Sequence, residues 1–303
     1  MTASATETHP ATTKPSAEPA KTSAKRGFHM PRTPSSLGSP PVRVWILTWV
    51  LGLVALASSI LVLQLPRARE VELFLLINHW AGHYPDAVWS SLTVLGETSV
   101  LLALLSPLLV WRPQALFAIL AAVPVGGSLS YLLKRYFDAP RPSAVLDFTE
   151  FNVIGPVLHK AAFPSGHSIT VFAAAAALVV CLLGSRKNRW HVPRLTAGLI
   201  ILLAVASGVS RVAVGAHWPV DVLAGAGVGW LAGTAGAWFI FRFPDLWQTP
   251  RFRTLIGLAL CATGMWLLNR PLDYPLGYFT VYVAAACSVL SVADMFLRVG
   301  VER

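Results

Sequence analysis

The composition of the chain is that of a membrane protein. Of its 303 residues, 55% are hydrophobic and 13% are charged, and the mean hydropathy is +0.60, whereas about a quarter of the residues of a soluble domain are charged. The net charge of +10 could suggest nucleic acid binding, but the basic residues do not form a patch with interleaved aromatic side chains. They lie at the ends of apolar runs. Composition therefore predicts a helical membrane domain with a tail, and it argues against a nucleic acid partner.

The first 92 residues divide into a tail, a span and a mixed segment. Residues 1–42 are rich in Ala, Thr, Ser, Pro and Lys, so we expect a disordered basic tail. The first predicted span covers residues 44–64. Residues 65–92 carry apolar residues at near-helical spacing, which predicts an amphipathic helix at the membrane surface. In that helix, His79 and His83 are four residues apart, but no third ligand is evident, and we interpret them as interfacial histidines instead of a metal pair.

Seven further apolar runs bring the predicted number of spans to eight, although the run at 254–269 is short for a span. They cover residues 93–111, 114–133, 167–184, 195–213, 219–241, 254–269 and 277–297. The sequence therefore predicts an all-α, polytopic transmembrane bundle in which the chain ends on the side where it began.

The distribution of basic residues predicts the orientation of this bundle. With the N-terminus inside, 16 of the 24 Lys and Arg residues fall in inner segments and the remaining 8 in outer segments. Short cytoplasmic segments of membrane proteins carry such an excess of positive charge. We therefore expect a cytoplasmic N-terminus, with the connector 185–194 inside and residues 134–166 outside.

Three short blocks, far apart in sequence, supply groups that handle phosphate. The blocks contain Lys134 with Arg141–Pro142, then Pro164–Ser165–Gly166–His167, then Ser210–Arg211 with His217 and Asp221. Three cations, two histidines and a carboxylate form a set that can hold a phosphoryl group and transfer it through a histidine. The second and third blocks are separated by two apolar runs, which amount to one passage across the membrane and one back. All three blocks are therefore predicted on the outer face.

The direction of the predicted helices gives the blocks a common electrostatic role. The spans that follow His167 and His217 begin at the outer face, where their free N–H groups and positive dipole ends attract anions. Ser165 can cap the first of these helices, and Gly166 lets the backbone approach a phosphate closely. Asp221 is four residues after His217, so its carboxylate can orient the imidazole.

Each block has an ordinary structural interpretation as well. Lys134 and Arg141 could be interfacial anchors, Ser165 could be a simple helix cap, and His217 with Asp221 could be a structural pair. Because all three blocks occur in order and on one predicted face, we interpret them jointly as a site.

The three blocks resemble the signature of the type 2 phosphatidic acid phosphatase superfamily, also called the phosphatidic acid phosphatase/haloperoxidase group. That signature is Lys-x6-Arg-Pro, Pro-Ser-Gly-His and Ser-Arg-x5-His-x3-Asp, and the chain matches every position of it. The resemblance covers roughly residues 43–241, which would form a six-helix core. Residues 242–303 would then add two transmembrane helices about which the resemblance says nothing.

The resemblance implies a metal-independent lipid phosphatase without a cofactor. His217 would be the nucleophile that forms a phosphohistidine, Asp221 would orient it, and His167 would be the general acid for the leaving oxygen. The phosphoryl oxygens would be bound by Lys134, Arg141, Arg211 and the backbone of Ser165 and Gly166. The lack of an acidic cluster for Mg²⁺ suits a site whose positive charge comes from side chains and helix ends.

The substrate and the reaction are less narrowly defined. A lipid phosphate or a polyprenyl diphosphate is expected, since similar bacterial proteins act on undecaprenyl diphosphate, phosphatidylglycerol phosphate, phosphatidic acid or lipid A phosphates. Alternatives are a lipid phosphotransferase of the same superfamily and a non-catalytic lipid-phosphate binder or transporter. The intact His167, His217 and Asp221 argue against a mere binder, and the apolar runs argue against a soluble haloperoxidase. The expected location is the bacterial inner membrane, and the oligomeric state stays open.

Overall fold

A computed structural model describes residues 1–2, 39–184 and 191–301. Most of the predicted tail and residues 185–190 of the predicted inner connector lie outside this described part. The described residues form helices and no strand, so the predicted all-α class is confirmed. The α-helices are α1 (Val42–Leu63), α2 (Arg67–Ala81), α3 (Asp86–Val94), α4 (Thr98–Leu104), α5 (Leu108–Trp111), α6 (Pro113–Phe137), α7 (Gly166–Leu183), α8 (His191–Ala213), α9 (Pro219–Arg242), α10 (Pro250–Leu267) and α11 (Tyr278–Val301).

Six helical segments in the described part are long and apolar enough to cross a membrane, fewer than the eight predicted. They are Val42–Leu63, Pro113–Ala144, Gly166–Leu183, Pro193–Ala213, Pro219–Arg242 and Pro275–Arg298. The number rises to seven if α3 and α4, which are bent by 82° against each other, count as one broken span. The chain is thus built as a multi-pass membrane protein.

The prediction of one continuous span over residues 93–111 is wrong. The chain turns after α3, and the turn contains Gly96, where a β-carbon would collide with the side chain of His167. A second break precedes α5 at Pro107, which has no N–H to continue a helical hydrogen-bond ladder. The segment still runs the length of the bundle, because Gly96 lies beside His167 while Leu109 packs with Val180 at the opposite end.

The predicted span at 254–269 is also absent from the six segments. Its helix, α10, begins at Pro250 and has Arg251 and Arg253 in its first turn, which lowers its mean hydropathy. It nevertheless runs from one end of the bundle to the other. The Nη2 atom of Arg253 donates to the carbonyl of Leu109 at a distance of 3.0 Å, while Leu267 packs into the buried cluster around Tyr274.

The mixed segment contains the predicted helix, α2, followed by α3. Phe74 on α2 is fully buried, and its ring centroid lies 5.1 Å from that of Trp218, whereas Leu76 and Trp80 are exposed. The placement of α2 at a membrane surface stays a prediction. The Nε2 atom of His79 lies 2.8 Å from the carbonyl oxygen of Glu150, so this histidine ties α2 to the loop before α7.

Close packing of α7 against α9 sets the position of the two helix starts that matter for function. A β-carbon at Gly229 or Gly233 would collide with the backbone of α7 at Ile169 or Ala173. Small residues spaced four apart allow two membrane helices to approach in this way. At the N-terminal starts of the same two helices, the N–H of Ser165 donates to the carbonyl of Asp221 at 2.9 Å.

Candidate active site

The loop between α6 and α7 folds back over the turn between α8 and α9. Its backbone N–H at Ile154 donates to the carbonyl of Val214 at 3.2 Å, and the indole N–H of Trp218 donates to the carbonyl of Pro140 at 2.8 Å. The buried amide of Asn78 donates to the carbonyls of Asn152 and of the last residues of α8. Three chain segments are thereby held at one end of the bundle.

His217 and Asp221 form the predicted pair. The Nδ1 atom of His217 lies 3.3 Å from Oδ2 of Asp221, and both side chains are almost completely buried. The same oxygen accepts the backbone N–H of Trp218 at 2.9 Å. Because Asp221 lies in the first turn of α9, the helix fixes the carboxylate and the carboxylate fixes the imidazole.

The position of Arg141 determines which nitrogen of His217 carries the proton. Nη1 of Arg141 lies 3.2 Å from Nε2 of His217 and also donates to the carbonyl of Ala216 at 3.0 Å. A guanidinium can only donate, so Nε2 must accept with its lone pair. The proton is therefore on Nδ1, facing Asp221, and the Nε2 lone pair faces Arg141.

Burial, and then the nearby cations Arg141, Arg211 and Lys134, hold the pKa of His217 well below its ordinary value. Both influences disfavour a positive charge on the ring. The imidazole is therefore neutral at physiological pH, which is the form that has a nucleophilic lone pair.

Lys134 and Arg141 are held by backbone carbonyls of the loop before α7. The Nζ atom of Lys134 donates to the carbonyl of Ala161 at 2.6 Å, and the Nε atom of Arg141 donates to that of Lys160 at 2.8 Å. Ala161 has a φ of +55°, a left-handed conformation that is uncommon for a residue with a β-carbon. This strained residue lies at the site itself, because the carbonyl of Ala161 accepts hydrogen bonds from both Lys134 and Arg141.

Arg211, the third predicted cation, is only 2% exposed. Its Nη1 atom donates to the hydroxyl oxygens of Thr93 and Tyr274, the latter at 3.0 Å. Its Nε atom is buried and makes no hydrogen bond to any described residue. A buried cation with an unpaired donor is costly unless an anion completes its coordination.

The start of α7 has the predicted cap. The hydroxyl oxygen of Ser165 accepts the N–H of Ser168 at 3.4 Å, and Gly166 is the first helical residue. His167 follows, and its Nε2 atom is buried without a hydrogen-bond partner among the described residues. An unpaired ring nitrogen next to three cations is a natural position for the oxygen of a bound phosphate ester.

A cavity of about 840 Å³ opens from this site into the apolar part of the bundle. Lys134, Gly166 and His167 line its polar end, and Leu101, Ile119 and Val123 line its apolar walls. Three of the predicted site residues therefore line an apolar space between α4, α6 and α7.

A second carboxylate lies behind the pair of His217 and Asp221. Glu70, on α2, is ion-paired with Arg67, whose guanidinium carbon lies 3.9 Å from the centre of the Trp218 ring. Burial raises the pKa of Glu70, while Arg67 opposes the shift. No sequence pattern connects these residues of α2 with the site.

All eight predicted site residues thus lie at one end of the bundle. They are Lys134, Arg141, Ser165, Gly166, His167, Arg211, His217 and Asp221. Sequence reasoning missed Gly96, Thr93 and Tyr274, which contact His167 or Arg211. An isolated glycine within an apolar run is a signal of close approach and could have pointed to Gly96. Thr93 and Tyr274 carry no such signal.

Within the described residues, no three His, Cys, Asp or Glu side chains form a group that could hold a metal ion.

Comparison with known proteins places the chain in a family. A family model described as "PAP2 superfamily" matches residues 115–245. A protein of Escherichia coli (strain K12) named "Putative undecaprenyl-diphosphatase YbjG" is 31% identical over 165 residues, which cover 52% of this chain and 75% of that protein. The chain belongs to the PAP2 superfamily.

Other similar proteins also match parts of the chain. A "Lipid A 1-phosphatase" of Rhizobium johnstonii is 37% identical over 119 residues, which cover 39% of this chain and 41% of that protein. The lipid A 1-phosphatases are matched over a quarter to a half of their own length. The crystal structure of Aquifex aeolicus LpxE is 30% identical and covers 55% of this chain and 93% of that chain, with a TM-score of 0.46.

The PAP2 match contains every residue of the three blocks and ends shortly after α9. Helices α10 and α11 lie beyond it. The division of the chain into a tail (1–42), a core (43–241) and additional C-terminal helices (242–303) stays a prediction.

Proposed function

We propose that this protein is a membrane phosphatase that hydrolyses a lipid phosphomonoester or a polyprenyl diphosphate through a phosphohistidine. The observation that carries the proposal is the cavity, which has Lys134 and His167 at its polar end and apolar walls beyond them. A phosphate joined to a hydrocarbon chain has both of these properties. The names of two relatives, "Lipid A 1-phosphatase" and "Putative undecaprenyl-diphosphatase YbjG", refer to molecules of that kind.

In the first step, the Nε2 lone pair of His217 attacks phosphorus. An N–P bond forms, and the bond between phosphorus and the leaving oxygen breaks. Protonated His167 gives its Nε2 proton to that oxygen, so the lipid alcohol, or the lipid monophosphate in the case of a diphosphate, leaves without an additional negative charge. The negative charge of the bound phosphoryl group favours the protonated form of His167 in the complex.

In the second step, water attacks the phosphohistidine. The neutral His167 takes a proton from this water, the N–P bond breaks, and inorganic phosphate leaves. His217 returns to its neutral form and His167 is protonated again, so the cycle needs no other reactant. Asp221 stabilises the positive charge that develops on the ring of His217 in both steps.

Lys134, Arg141 and Arg211 stabilise the charge on the three phosphoryl oxygens in the transition state. They are already held in place by carbonyls and hydroxyls, so little reorganisation is needed when charge develops. The backbone N–H groups at the start of α7 add donors on the side of Ser165 and Gly166. No step of this mechanism uses a metal ion.

We further propose that the N-terminus is cytoplasmic and that the site opens on the outer face of a bacterial inner membrane. The excess of basic residues in the segments assigned to the inside supports this orientation. The substrate would then be a lipid phosphate of the outer leaflet, such as a polyprenyl diphosphate.

The function is tested by measuring phosphate release from purified protein in EDTA. The panel contains a polyprenyl diphosphate, phosphatidic acid, phosphatidylglycerol phosphate, a lipid A phosphate and a soluble aryl phosphate. We expect activity on at least one lipid and its loss by at least about 10³-fold in His217→Ala, because the covalent nucleophile is removed. His83→Ala is the control and should retain activity, because this exposed histidine bonds locally to the carbonyl of Trp80. A strict requirement for Mg²⁺, or activity of His217→Ala within about tenfold of the parent, would contradict the mechanism.

A further inference from the structure

The segment between α10 and α11 reaches the phosphoryl-binding groups although it lies outside the PAP2 match. Tyr274 lies in this segment, just before the short 3₁₀ helix Pro275–Gly277. Its hydroxyl oxygen accepts a hydrogen bond from Nη1 of Arg211 at 3.0 Å. The distance from the guanidinium carbon of Arg211 to the centre of the Tyr274 ring is 5.5 Å.

Tyr274 is itself held rigidly. It is 2% exposed and belongs to a buried cluster with Val94, Val214 and Leu267, which come from three different parts of the chain. The loop before α7 packs on its ring at Gly155, where a β-carbon would lie 2.5 Å from a ring carbon. A ring fixed on several sides can fix the direction of the hydroxyl that Arg211 contacts.

Arg211 needs such an anchor. Its guanidinium is buried, its Nη1 atom has only Thr93 and Tyr274 as hydrogen-bond acceptors among the described residues, and its Nε atom has none. Lys134 and Arg141, in contrast, are held by backbone carbonyls of the core. Arg211 therefore depends on side-chain hydroxyls for its orientation, and one of the two comes from the C-terminal part of the chain.

The same C-terminal segment is fastened to the other side of the site. Arg270 forms an ion pair with Glu97, a neighbour of the residue that packs against His167. Asp273 and Trp266 line the cavity together with His167. The segment thus lies against the groups that would bind both the phosphate and the lipid chain.

We infer that Tyr274 is a positioning residue, which orients Arg211 for binding the phosphoryl group, and that helices α10 and α11 therefore complete the site of the PAP2 core. The inference rests on the proposed function for the identity of the substrate. The hydrogen bond and the burial of both side chains carry the assignment of the residue. Transition-state binding by preorganised donors loses strength when a donor is free to rotate.

The test compares Tyr274→Phe with Tyr282→Phe in the purified full-length protein. Tyr274→Phe keeps the packed ring and removes only the hydroxyl, while Tyr282, on α11, is 55% exposed and stacks on Tyr278. Vanadate, a five-coordinate mimic of the phosphoryl group during transfer, serves as a second probe of the site. We expect Tyr274→Phe to lower kcat about tenfold with little change in KM, and to weaken vanadate binding about tenfold, as expected when a hydrogen bond to a charged group is lost. Tyr282→Phe should change neither quantity.

A double-mutant cycle separates positioning from a general packing effect. In an Arg211→Lys background, Tyr274→Phe should cause almost no further loss, because the guanidinium that it orients is gone. Equal losses in both backgrounds, or parent-like kcat and vanadate affinity in Tyr274→Phe, would overturn the inference.

The vanadate measurement also keeps the two proposals distinguishable. If the parent protein binds vanadate but releases no phosphate from any lipid, the proposed function fails, and the binding of vanadate to Tyr274→Phe still decides the role of Tyr274. If the parent neither binds vanadate nor hydrolyses a substrate, both proposals fail. If the parent is active and Tyr274→Phe is unchanged, only the inference about Tyr274 fails.

Discussion

The cavity between α4, α6 and α7 can be partly filled by a single substitution that should not disturb the fold. Gly127, on α6, lines the cavity, and a β-carbon there would meet no atom within 4 Å. It lies seven residues before Lys134. Replacing a helical glycine by leucine improves helix propensity by up to about 1 kcal/mol. Gly127→Leu should therefore fold like the parent and project its side chain into the cavity.

The size of the effect follows from the hydrocarbon that leucine would displace. Its side chain has four carbons and occupies the space of about four methylenes of a lipid chain. At about 0.8 kcal/mol for each buried methylene, the loss for a substrate taken up as a monomer from water is roughly 3 kcal/mol. This corresponds to a fall of about 100-fold in kcat/KM. For a substrate already dissolved in a micelle the loss is smaller, because its chain is surrounded by other hydrocarbon before it binds.

The assay uses a lipid phosphate below its critical micelle concentration and, in parallel, a soluble aryl phosphate. We expect Gly127→Leu to lose activity on the lipid and to keep activity on the aryl phosphate within about twofold, because only the lipid needs the apolar space. Gly198→Leu is the matched control. Gly198, on α8, is also exposed, does not line the cavity, and would have no atom within 4 Å of an added β-carbon. If Gly127→Leu has parent-like activity on the lipid, the cavity does not bind the hydrocarbon chain of the lipid. Equal losses on both substrates would indicate a shift of Lys134 instead.

Three further predictions test the remaining roles. His167→Ala should lose much more activity on an alkyl phosphate than on an aryl phosphate with a good leaving group, because the latter needs little protonation; equal losses would contradict a general acid. Arg141→Ala should lower kcat by about 10²-fold and weaken inhibition by vanadate, since it removes a positive group that stabilises the negative charge of the transition state. Undiminished inhibition would exclude Arg141 from the phosphoryl site. In a chain without its native cysteines, Asp147→Cys should react with an impermeant thiol reagent in intact cells and Asp245→Cys should not, because the charge distribution places them on opposite faces. Reversed labelling would place the site on the cytoplasmic face.

Much of the site was predictable from the sequence because its elements are local. Ser165 caps α7 and Asp221 lies in the first turn of α9, and both features depend on residues within one helical turn. The pairing of His217 with Asp221 likewise needs only the spacing of four residues at a helix start. The all-α class follows from long apolar runs, because a chain inside a bilayer must satisfy its backbone hydrogen bonds internally.

The course of residues 86–111 was decided by tertiary packing. Hydropathy alone predicts one continuous span at 93–111, but the close approach of Gly96 to His167 places a turn between α3 and α4. Helix α10 does run the length of the bundle, as the apolar run at 254–269 suggests, but Arg251 and Arg253 in its first turn keep it out of the six segments that are apolar enough to cross a membrane.

The sequence by itself determined which groups could bind and transfer a phosphoryl group, since residue type and helical spacing specify that chemistry. Only the tertiary structure decided how those groups are held and what lies next to them. Tyr274 reaches Arg211 across 63 residues of sequence, and the cavity exists only between helices that are distant along the chain. Contacts of this kind depend on which helix faces meet, and that choice is made by the packing of the whole bundle and not by any local pattern.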